Sequence, residues 1–126
     1  MYTALKHAHL ATSALTLLLS LLWMGVAWRG LPAATPQPRQ TRVVYGAHRA
    51  LAGLAALSGL TITLLGPWRL MLFPYLGLAA FVGHELAAGA SRRLLTAPRP
   101  GRRQGMLILQ LSALLLAAAL MGGKPF

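Results

Sequence analysis

The chain has 126 residues, 56% of them hydrophobic and 10% charged; 12 Lys and Arg face a single acid, Glu85, for a formal net charge of +11. With one acid and no cysteine, paired-carboxylate catalysis, thiol nucleophiles, disulfides, Cys-based zinc sites and EF-hand calcium loops are excluded, and no phosphate-binding Gly-Lys-Ser/Thr signature occurs. A Ser-His-acid triad could draw only on Glu85, and the apolar composition argues against disorder.

The apolar residues fall into four blocks, at about 10–28, 43–65, 68–90 and 105–123. Each is long enough to cross a hydrocarbon core of about 30 Å as a helix. On the first helix, Lys6, His9, Ser13, Thr16 and Ser20 recur at steps of three and four and form one polar stripe that runs into the first block. That stripe reads as packing hydrogen bonds, or as a proton or ion path. The apolar run is longer than a signal-peptide core, so the segment is expected to be a retained span. Pro32, Pro36 and Pro38 punctuate the first connection. The second block carries Ala52, Ala55, Ala56 and Gly59, which allow close helix approach. Gly66-Pro67 predicts a very short turn into the third block. There Gly77, Ala80, Gly83, Ala87 and Ala88 repeat the small-residue pattern, and Pro74 predicts a kink or a late start. Pro98 and Pro100 precede the fourth block, where Gln110 and Ser112 are ordinary polar inclusions. Trp23, Trp28, Trp68, Tyr2 and Tyr45 stand mostly near span ends, as interfacial anchors do.

The fold expected is all-α, an integral membrane four-helix bundle in one domain spanning 1–126. The first and third connections, with their helix ends, hold Arg29, Arg39, Arg42, Arg49, Arg92, Arg93, Arg99, Arg102 and Arg103. The opposite side holds only Lys6, Arg69 and Lys124. The positive-inside rule then places both termini on the outer, periplasmic side of a bacterial inner membrane. The Arg92–Arg103 stretch reads first as a topology signal, and second as a place where Arg92, Arg93, Arg99, Arg102 and Arg103 meet anionic lipid. No aromatic interleaving supports nucleic-acid binding.

Ionisable groups within a span are costly and mark candidate sites. His48 and His84 stand equally far on either side of Gly66. Equal rises bring them to one depth, about 27 Å from the turn. Arg49 and Glu85 match in the same way. Small residues beside each histidine would leave room for a flat cofactor, so His48 and His84 are candidate axial ligands of a haem b. They would equally permit a buried network in which Glu85 pairs with Arg49 and each histidine bonds a neighbour. A proton-handling Glu85 is another reading. A two-histidine, one-carboxylate metal site at His48, His84 and Glu85 is a further reading, against which stands that His84 and Glu85 are adjacent and point about 100° apart on a helix.

Tyr2 followed by Leu5-Lys6-His7-Ala8-His9-Leu10 resembles the opening of SirB-type membrane proteins. Arg42 through His48, Leu57-Ser58-Gly59-Leu60, Pro67-Trp68, Tyr75-Leu76-Gly77 and Ala79-Ala80 are similar to that family's second and third helices. Ala47 replaces the family's proline, Leu51 and Ala52 its Asp-Thr, and Leu72 stands near its helix-3 lysine. The chain therefore resembles a divergent member with half of that polar centre missing. The resemblance implies a four-helix membrane protein of poorly defined activity. The Lys-x-x-His also looks like that of copper-resistance D proteins and the haem-binding membrane protoporphyrinogen oxidase. By that likeness Lys6 and His9 form a second candidate cofactor site.

The leading functional expectation is a non-enzymatic accessory or assembly subunit of a larger membrane complex, with protein partners in the bilayer or a second copy of itself. The alternatives are a haem b redox protein and a small proton-coupled transporter.

Overall fold

The structure, a computed structural model, describes residues 1–123; Lys124, counted above among the outer cations, lies outside them. It is all-helical: α1 (Tyr2–Ala27), α2 (Arg39–Leu65), a 3-10 turn (Pro67–Leu70), α3 (Phe73–Arg93) and α4 (Pro100–Gly123). By length and composition, α1, α2 and α4 are each able to cross a membrane. Leucines such as Leu10, Leu18, Leu57 and Leu86 are exposed along the outside of the bundle. An outer surface this apolar suits lipid rather than water.

Helix ends follow the local chemistry. α1 and α4 begin ahead of their apolar blocks, because Lys6, His7, His9, Arg102 and Arg103 continue a helix without interrupting it. The very short turn expected at Gly66-Pro67 is longer. Gly66 ends α2 in an extended conformation, Pro67 opens the 3-10 turn, and Met71 and Leu72 lead into α3. Pro74 lies in the first turn of α3, so it marks a late start and no kink.

α1 packs along α2 and α3 along α4, giving two hairpins that meet each other more sparingly. Their junction is densest at the end carrying the first and third connections. There Leu31 N donates to Leu95 O at 2.7 Å. Trp23, Ala27, Val44, Tyr45, Leu95 and Leu107 form a buried cluster at that end. Trp23 and Tyr45 therefore belong to the core, not to the interface expected of them. Trp23 is 0% exposed, stands 4.9 Å from the Tyr45 ring and donates to Ser91 Oγ at 3.0 Å.

Candidate functional site

Directly beside this cluster, the two hairpins face each other through histidines. His48 on α2 and His84 on α3 are both 0% exposed, and their Nε2 atoms are 3.0 Å apart. Ser20 Oγ on α1 lies 2.9 Å from His48 Nε2. His84 Nδ1 lies 2.9 Å from the carbonyl oxygen of Gln110 on α4. All four helices thus contribute to one hydrogen-bonded centre. The turn between α2 and α3 still delivers the two histidines to one level. α3 has fewer residues between its start and His84 than α2 has between His48 and its end. The 3-10 turn, rising about 2 Å per residue, makes up the difference.

The carbonyl of Gln110 can only accept, so the neutral His84 ring carries its proton on Nδ1 and its lone pair on Nε2. His48 Nε2–H then donates toward that lone pair. This leaves His48 Nδ1 buried and without a hydrogen-bond partner. Glu85 continues the chain. Its Oε1 is 3.4 Å from His84 Nε2 and is buried without a hydrogen bond, while Oε2 is held by Arg49 Nη1 at 2.6 Å. Arg49 also donates to the Glu85 carbonyl at 3.0 Å. The adjacent His84 and Glu85 were expected to diverge. At their tips they do not, because the long Glu85 side chain swings back toward α2 to reach Arg49.

The histidine pair does not fit a haem. Metal–imidazole bonds run about 2.0–2.1 Å, so axial nitrogens on opposite sides of an iron stand about 4 Å apart, with the macrocycle between them. Here the two nitrogens touch, with ring planes 65° apart. The space that small residues were expected to leave is filled by the protein itself. A Cβ on Gly59 would come 2.9 Å from His9 Cε1, and one on Gly77 would come 2.7 Å from Met121 Cε. The second candidate site, at Lys6 and His9, also closes on itself. His9 Nδ1 lies 3.0 Å from Ser58 Oγ and 3.1 Å from Ala55 O, while Lys6 is exposed and its Nζ lies 5.2 Å from the Tyr2 ring centroid.

The polar stripe of α1 descends from this point. Ser13 is partly buried, Thr16 and Ser20 are buried, and Ser20 reaches the histidine pair. Thr16 Oγ1 donates to its own helix, at Thr12 O. Sequence reasoning did not connect Ser20 with His48. The signal was present, since both stand about equally far from the first connection. The α4 partner of His84 is the main-chain carbonyl of residue 110, a contact that side-chain identity does not encode. Of the five arginines assigned to anionic lipid, Arg103 is unavailable. It is 4% exposed and donates to Trp28 O and Leu94 O. Arg92 stacks over the Tyr45 ring at 4.5 Å. Arg93, Arg99 and Arg102 remain exposed.

No family model, curated protein or solved structure matches the chain. The SirB resemblance accordingly rests on its short motifs alone.

Proposed function

We propose that this is a four-span inner-membrane protein, with both termini outward, that relays protons through the centre between its two hairpins. The observation that carries this reading is the run Ser20 Oγ, His48 Nε2, His84 Nε2, Glu85 Oε1, with successive separations of 2.9, 3.0 and 3.4 Å. Buried polar chains of this kind mark proton paths in membrane proteins. The chemistry balances. As the Nε2 proton of His48 passes to the lone pair of His84, Ser20 Oγ–H supplies its replacement at Nε2 and is itself reprotonated by water from the side of Ser13. The resulting His84 Nε2–H faces the carboxylate of Glu85. Arg49 holds that carboxylate in place while leaving Oε1 open. The α1 stripe from Lys6 and His9 supplies polar groups on the outer side, and water bridges the interval between Ser13 and Ser20 in this reading.

The test is proton flux into liposomes holding the purified chain and a pH-sensitive dye, under an imposed gradient. Glu85→Gln and His84→Ala are expected to lower the flux at least about tenfold, while His7→Ala leaves it unchanged. Flux absent from the wild-type chain, or indifferent to both variants, would refute the relay.

A second reading, an accessory or assembly subunit, is favoured by the glycines of the outer faces. A Cβ on Gly25, Gly46, Gly53 or Gly83 would meet nothing within 4 Å. Such positions let a partner helix approach closely. Loss of a co-purifying membrane partner on Gly46→Leu with Gly53→Leu would support it, and a wild-type chain that runs as a solitary monomer in mild detergent would count against it.

A further inference from the structure

We propose that His48 Nε2, His84 Nε2 and Glu85 Oε1 form a binding site for a divalent transition-metal cation of the zinc type. This goes beyond the proton relay and does not depend on it. The ligating atoms of the three residues lie within 4.8 Å of one another. Tetrahedral bonds of about 2.0–2.1 Å space ligand atoms about 3.4 Å apart. The two histidine nitrogens are 3.0 Å apart, and His84 Nε2 and Glu85 Oε1 are 3.4 Å apart. Two of the three spacings are thus within a few tenths of an ångström of a coordination shell, and the carboxylate must swing toward His48, from a separation of up to 4.8 Å, to complete it.

The surrounding bonds already have the form that metal ligands need. His84 gives its Nδ1–H to Gln110 O, which fixes the ring and leaves Nε2 as a donor of electrons. Arg49 ties up Oε2 of Glu85 and leaves Oε1 buried with no hydrogen bond of its own. His48 must give up its Nε2 proton, and the ring stays neutral by carrying it on the partnerless Nδ1, so metal and proton compete for Nε2. Ser20 Oγ lies 2.9 Å from His48 Nε2 and could hydrogen-bond a water bound at the fourth position. Two imidazoles and one carboxylate favour zinc-like cations over calcium or magnesium, which require shells of oxygen. A groove of about 230 Å³ between α2 and α3, lined by Arg49, Gly53, Phe81 and Glu85, leads to the carboxylate.

The experiment is titration of the purified, chelator-stripped full chain in detergent with Co2+, followed by displacement with Zn2+. One equivalent of Co2+ with the intense visible bands of a tetrahedral ion is expected, bleached by Zn2+. His48→Ala and His84→Ala should each weaken uptake at least about 100-fold, and His9→Ala should leave it unchanged. Zn2+ should raise the melting temperature of the wild-type chain but not of Glu85→Gln, which keeps the shape of the side chain and so controls for misfolding. No uptake by the wild-type chain, or uptake that survives loss of both histidines, would overturn the site. Uptake without proton flux would keep the site and reject the relay; flux without uptake would do the reverse.

Discussion

Arg103 finishes two helices at once. Helix C-termini leave carbonyls unpaired and carry partial negative charge. Arg103 donates to Trp28 O at the end of α1, at 3.1 Å, and to Leu94 O at the end of α3, at 3.4 Å. Gly30 makes room for it. Its φ is +70°, and a Cβ there would lie 2.5 Å from Arg103 Nη1. Arg103→Met is expected to destabilise the fold by about 2–4 kcal/mol, since bonds to charged groups contribute about 1.5–3 kcal/mol each. Gly30→Ala should cost about 1–3 kcal/mol from backbone strain and the displaced guanidinium. Because both act on one guanidinium, the double variant should lose less than the sum. Unfolding curves in detergent measure all three, and full additivity would show that the two residues are not coupled in this way.

At the scale of the helix, axial level and rotation separate cleanly. One alanine inserted after Ala79 turns the N-terminal part of α3 by about 100° relative to His84. Either His84 leaves His48 or the Phe73 end leaves its packing. One alanine inserted after Leu70, within the turn, leaves α3 itself unchanged. The first insertion is expected to lower the melting temperature by several degrees more than the second. Equal effects would mean that the turn sets the register. The same separation explains what the sequence made legible. Counting residues from Gly66 was enough to place His48 and His84 on one level, because rise per residue is nearly fixed. It could not tell that the rings touch, that Glu85 swings toward them, or that His9 and Met121 fill the spaces beside Gly59 and Gly77. Those depend on how the helices are rotated against one another and on side-chain reach, which spacing along one helix does not encode. Trp23 and Tyr45 misled for a related reason. Both lie near span ends, as interfacial anchors do, but they face inward where the connections cover the bundle.

For the whole molecule, the proposed orientation follows from the imbalance of cations between its two ends. The chain has no cysteine, so single cysteines report topology directly. Thr3→Cys should react with a membrane-impermeant thiol reagent in intact spheroplasts, and Ala33→Cys in the first connection only after permeabilisation. Both residues are exposed, so burial does not confuse the readout. Labelling in the opposite order would invert the topology. It would also place the nine arginines on the outer face, against the positive-inside rule.

Because the centre is divided between the two hairpins, it also bears on how the chain is made. Ser20 and His48 come from the first half, His84, Glu85 and Gln110 from the second. On the membrane-spanning reading, synthesis delivers α1 and α2 to the bilayer first. During that interval His48 has Ser20 beside it but no second imidazole, in a solvent that leaves polar groups unsatisfied. The arrival of α3 and α4 relieves this. The nascent first hairpin therefore carries a polar recognition mark, readable only by a helix that brings a matching acceptor to the same depth. A truncated chain ending in the second connection would keep that polar pair unsatisfied in the bilayer.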